Sequence, residues 1–178
     1  MFVYKPVSLI IILSNMSIAI AEFIDASTEY SKERNKPMPS KNHALIQMLL
    51  GYLILKNCFE KYTVYSELKL ELFEKPDLVP DLCVYPKQEK DFHNDTLAMK
   101  EMPLIAIEIM SPSQSNEEIL ANIGRYFQAG VKSCWMVIPP LEAVIVYSTI
   151  HQYSFYSSSQ VLKDSVFGIE VDLHEVFK

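Results

Sequence analysis

One short run, Leu104 to Met110 (LIAIEIM), is apolar on both of its alternating sides. Ile105, Ile107 and Ile109 line one side, and Leu104, Ala106 and Met110 the other. Such a run predicts a central strand covered on both faces. Glu108 falls on the second face, beside the small Ala106. Upstream, Leu82 to Tyr85 reads as a strand entered through Pro80, which has no N–H to give a ladder and belongs at a strand's beginning. Tyr62 to Leu72 ends in strict alternation, with Leu68, Leu70 and Leu72 facing one way and Glu67, Lys69 and Glu71 the other. That pattern predicts a strand with one wet face. Ser133 to Ile138 (SCWMVI) is a further buried strand stopped by Pro139-Pro140, and Val144 to Tyr147 with Gln152 to Tyr156 form a closing hairpin.

Three stretches carry helical signals. Ser40 can cap a helix running through Lys56. Its apolar positions (Ala44, Leu45, Met48, Leu49, Tyr52, Leu53 and Leu55) cover most of the circumference, so the helix is expected to be largely buried. His43 lies in its first turn and reads as a structural or capping residue. A second helix starts at Asn116, with Glu117 and Glu118 favourable to its dipole and Gly130 just past its end. Ile119, Leu120, Ile123, Tyr126 and Phe127 make its core face. Leu173 to Phe177 reads as a last short helix. Lys75-Pro76-Asp77 makes a turn, and Lys87 to Lys100 is a polar loop. The order α-β-β-β-α-β, followed by more strands and without internal repeats, describes an α/β protein with a mixed sheet and helices on its faces.

Composition adds bounds. The length of 178 residues suits one domain, with a core from about residue 22 to 177. Hydrophobic residues at 49% and charged residues at 21% exclude a disordered chain. A net charge of −6 argues against tight non-specific nucleic-acid binding, although a local basic patch matters more than the total. The segment from Thr28 to Asn42, with Lys32, Arg34, Lys36 and Lys41, is either a solvated loop or a phosphate-contacting one. Cys58, Cys83 and Cys134 are far apart and sit in apolar runs, which argues against zinc and for a reducing compartment. Lys5, Leu9 to Leu13 and Ala19-Ile20-Ala21 mimic a signal peptide, but the apolar run is short and interrupted by Ser14, Asn15 and Ser17. It is also too short to span a bilayer. The expected alternative is an N-terminal strand and a short helix capped by Ser17, in a cytoplasmic protein with no membrane contact.

Two carboxylates carry the candidate chemistry. A buried, ionised Glu108 needs a partner, and a nearby Asp81 makes the electrostatics worse unless a cation sits between them. Hard oxygen ligands without a Cys or His cluster favour magnesium or manganese. The alternatives are plain: Asp81 as a turn residue after proline, and Glu108 paired with a core arginine or lysine.

The run VPD (Val79 to Asp81), then IEIMSPSQS (Ile107 to Ser115), then RYFQAGVKSCWMVIPP (Arg125 to Pro140) resembles the Uma-type restriction endonuclease family of the PD-(D/E)xK nuclease-like superfamily. The upstream KPMPSKNH (Lys36 to His43) resembles that family's pre-helix segment. The resemblance implies a restriction-endonuclease-like mixed sheet flanked by helices, with an additional C-terminal β-hairpin. It further implies metal-dependent hydrolysis of DNA, with Asp81, Glu108 and Ile109 in the metal site and Mg²⁺ or Mn²⁺ as the ion. DNA is the implied partner, and a homodimer is a separate expectation.

Two positions depart from the pattern. The lysine that often stands two residues after the glutamate is Met110, and the helix position that takes its place in the family is Asn122. Arg125, three residues further on, shares that side of the helix and could supply a charge, though it cannot transfer a proton. Glu118, one turn before Asn122, could support the site. The early-helix glutamate of the family falls on Ser31, with Glu29 or Glu33 as weak substitutes. The expected function is therefore metal-dependent endonuclease activity impaired at Asn122. The alternative is a catalytically inactive nuclease fold serving in binding or assembly.

Overall fold

The computed structural model describes residues 39–112 and 114–178. The expectations for the N-terminal strand, the Ser17-capped helix, the signal-like segment and most of the basic stretch lie outside the described residues.

Ser40 ends its extended segment by accepting the His43 N–H on its hydroxyl, and helix α1 (Lys41–Cys58) follows. Strand β1 (Tyr62–Ser66) pairs antiparallel with β2 (Leu82–Pro86), which pairs antiparallel with β3 (Ile105–Ile109). Helix α2 (Asn116–Ala129) carries the chain over to β4 (Ser133–Ile138), which lies parallel to β3. A parallel neighbour needs a crossover of this kind, because no tight turn can join two strands running the same way. A 3-10 turn, Pro139–Leu141, leads to β5 (Ala143–Thr149) and β6 (Gln152–Ser157), both antiparallel. The sheet order is β1-β2-β3-β4-β5-β6, so the expected hairpin forms one end of the main sheet. A separate pair, β7 (Val161–Lys163) and β8 (Glu170–Asp172), precedes α3 (Leu173–Phe177).

The mixed sheet separates two cores. Ile105, Ile107 and Ile109 pack with Leu82, Val84, Trp135 and Val137 beneath Ile46, Leu50, Leu53 and Ile54 of α1. Ala106, Cys83, Tyr85, Cys134 and Met136 pack on the opposite face with Ile119, Ile123 and Tyr126 of α2. All five residues of β3 are buried, as its two apolar faces require.

Two expectations are corrected. The alternating segment through Leu72 is not one strand. The ladder stops at Ser66, Glu67 has φ of 53°, and Leu70 makes only isolated bridges to Leu78 and Met99. Leu70 and Leu72 are nevertheless buried, so the alternation reports burial without a ladder. Helix α1 is also not largely buried, because Leu45, Met48 and Tyr52 are exposed by 53%, 72% and 56%. In α2, Leu120 faces outward as well.

Asp164 ties the C-terminal pair to the sheet. Its Oδ2 accepts from the Ser133 hydroxyl at 2.6 Å and the Trp135 indole N–H at 2.8 Å, while Oδ1 accepts the N–H groups of Val166 and Phe167. Truncation would strand several buried donors at once. Asp164→Ala is expected to lower stability by on the order of 3 kcal/mol in denaturant titration. Asp164→Asn should cost less, since one acceptor oxygen remains.

Candidate active site

Strand β3 presents Glu108 on the α2 side of the sheet, where the carboxylate is only 3% exposed. The Tyr126 hydroxyl, fully buried in α2, donates to Glu108 Oε1 at 2.6 Å. A buried tyrosine needs such an acceptor for its O–H. Burial first, then the charge and hydrogen bond of Glu108, then the charge of Asp81, push the Tyr126 hydroxyl well above its ordinary range. Tyr126 therefore stays protonated and remains a donor.

Asp81 stands just before β2 and is 1% exposed. The Ile109 main-chain N–H donates to its Oδ2 at 2.6 Å, which ties the entry of β2 to the end of β3. The His43 imidazole Nε2 lies 3.1 Å from the same oxygen, and His43 is 3% exposed. One turn along α1, the Gln47 amide donates to the Asp81 carbonyl at 2.9 Å. The first turns of α1 thus hold both the side chain and the main chain of Asp81.

The structure brings Asp81, Glu108 and Ile109 together. Asn122 is half-buried one turn before Tyr126, on the helix side that carries the Tyr126 hydroxyl to Glu108. Arg125 is directed elsewhere. Its Nη2 donates to the Glu74 carbonyl at 2.8 Å and to the Pro76 carbonyl, so its reach is spent on the turn before β2. Glu118 is exposed and closes a capping box, accepting the Ser115 N–H while the Ser115 hydroxyl accepts the Glu118 N–H. It serves the helix end instead of supporting the carboxylates.

Sequence reasoning missed His43 and gave Tyr126 only a packing role. A signal for His43 was present: it starts the buried series His43, Ile46, Leu50, Leu53, Ile54 of α1. A histidine on a helix's buried stripe must find a polar partner in the core.

Among the described residues, no group of three or more His, Cys, Asp or Glu side chains could hold a metal ion. Burial raises the Cys83 thiol to about 12 and pushes Cys134 up as well, so neither supplies a thiolate at neutral pH. Two buried carboxylates suit a hard divalent cation that keeps part of its water or takes phosphate oxygens, rather than zinc in a closed cage. Also among the described residues, no helix is long and apolar enough to cross a membrane.

Residues 25–174 match the Uma2 family, described as "Putative restriction endonuclease". The chain belongs to this family. Its fold is also that of a solved structure described as a putative nuclease of DUF820 from Anabaena variabilis ATCC 29413. That structure matches with a TM-score of 0.68 at 21% identity, over 79% of this chain and 83% of the other. No curated protein matches the chain. The restriction-endonuclease-like fold expected from the sequence is thus found, with the sheet extended by its hairpin.

Proposed function

We propose that this Uma2 family member is a metal-dependent endonuclease that hydrolyses DNA phosphodiester bonds. The observation that carries the reading is the pair of buried carboxylates at the meeting point of β2 and β3, Asp81 tied to the Ile109 N–H and Glu108 to the Tyr126 hydroxyl. These two residues, with Ile109 beside them, would hold Mg²⁺ or Mn²⁺. When bound, such a cation supplies charge to offset the phosphoryl oxygens and lowers the pKa of an attacking water.

The protein's own contribution is orientation. The Ile109 N–H and His43 fix Asp81, while the Tyr126 hydroxyl fixes Glu108. The donors are buried and preset, so little reorganisation is needed when a cation and a phosphate arrive. Asn122 lies where the family lysine would add a positive charge. A neutral amide there favours slow turnover, and it is the one feature that favours the second reading, a catalytically silent fold used in binding or assembly.

The test is nicking of supercoiled plasmid with magnesium, manganese or EDTA. Nicking in either metal, its loss in EDTA and its loss in Asp81→Ala are expected. Equal nicking by Asp81→Ala would sink the assignment. Absence of nicking in a wild type that still binds manganese would favour the silent-fold reading.

A further inference from the structure

The buried ring of His43 belongs to the site for a reason that stability alone does not supply. Its Nε2 faces Asp81 Oδ2 at 3.1 Å, and the two side chains are 3% and 1% exposed. Among the described residues, its buried Nδ1 has no hydrogen-bond partner. A purely structural residue at this position would be favoured as an aliphatic one, since an unpartnered buried nitrogen is a cost that a packed leucine avoids. The retained imidazole must be offset by something that its other nitrogen does.

What it does follows from the oxygen it meets. Asp81 Oδ2 also accepts the Ile109 N–H at 2.6 Å. The same oxygen therefore meets a main-chain donor and an imidazole nitrogen, which together limit the rotation of the carboxylate. Gln47, one turn after His43 on the same side of α1, holds the Asp81 carbonyl and so keeps the main chain from rotating away.

We propose that His43 is a positioning residue, which fixes the orientation of the Asp81 carboxylate for a divalent cation. The proposal rests on the metal reading of the site and deepens it. A carboxylate held this way binds a cation without first losing its rotational freedom. Outer-shell donors of this kind are worth about 10- to 100-fold in metal affinity.

The test is manganese binding by the full chain, measured by titration calorimetry and by the metal-induced shift of the thermal midpoint. His43→Leu keeps the bulk and removes both ring nitrogens. His43→Gln restores an amide donor at about the position of Nε2. The metal-free His43→Leu protein is expected to melt close to the wild type or above it, while its manganese dissociation constant rises about 10-fold or more. His43→Gln should recover most of the affinity. A folded His43→Leu protein with wild-type manganese affinity would overturn the positioning role while leaving the metal site intact. No manganese binding by the wild type would overturn the metal reading, and this role with it. If His43→Leu does not fold, His43→Gln is compared with His43→Asn, whose amide is too short to reach Oδ2. Equal manganese affinity of those two would also overturn the proposal.

Discussion

Asn122→Lys is expected to raise plasmid nicking by on the order of a hundredfold over the wild type, with unchanged dependence on manganese. Asn122 is half-buried and stands one turn before Tyr126, whose hydroxyl reaches Glu108 Oε1. Side chains four apart on a helix lie one above the other, and they lean toward its N-terminus. A lysine at 122 therefore starts on the side of α2 that looks onto Glu108, and its four-carbon stem gives it the reach to approach. A positive charge there has two effects. It opposes the negative charge that develops on the phosphoryl group, and it offsets the repulsion of two close carboxylates. Arg125 does not already supply that charge, because its Nη2 is held by the carbonyls of Glu74 and Pro76. Arg125→Ala should consequently loosen the turn before β2 and lower the melting temperature more than it changes nicking by the folded protein. A folded Asn122→Lys protein that binds manganese and does not cut would favour a role in binding or assembly.

How much of this was legible in the sequence depends on how local each signal is. Glu108 announces itself because β3 is apolar on both faces, so any charge within it is buried wherever the strand sits. Helix α2 is equally legible: acidic residues open it and Gly130 closes it at φ of 106°, a backbone region that L side chains avoid. The segment from Leu68 to Leu72 shows the limit of such reasoning. Alternation reports which side chains are buried, and Leu70 and Leu72 are. Whether the backbone joins a ladder depends on partners, and here Leu70 has only single bridges to Leu78 and Met99. Helix α1 shows the same gap. An apolar circumference says nothing about which side meets the sheet, and Leu45, Met48 and Tyr52 were left outside.

The site divides in the same way. Asp81 and Glu108 could be placed from strand positions alone, since each sits at or inside a strand that the pattern identifies. His43 could not, because its role exists only where the first turn of α1 crosses the entry of β2. Arg125 was placed on the correct helix but not given its partner. A long guanidinium side chain samples a wide volume, and the carbonyls that hold it come from a turn remote in sequence.

Removing Glu108 should abolish the response to metal. Manganese at about 100 times its dissociation constant stabilises the protein that binds it by about 2.7 kcal/mol. For a chain of 178 residues that corresponds to a rise in the thermal midpoint of about 5–10 °C. The physical source is the site itself: a cation bound there offsets the repulsion between two buried carboxylates. In Glu108→Ala one of the two charges is gone, Tyr126 loses the acceptor of its 2.6 Å hydrogen bond, and a single carboxylate remains. Manganese should then move the midpoint by less than about 1 °C, a drop of about a hundredfold in affinity by the same relation. Tyr126→Phe separates the two losses, because it removes the hydroxyl and keeps both carboxylates. It should retain most of the metal-induced rise while lowering the metal-free midpoint. The measurement is differential scanning calorimetry of the three proteins with manganese and with EDTA. An undiminished rise in Glu108→Ala would show that the cation binds elsewhere, and it would remove Glu108 from the site.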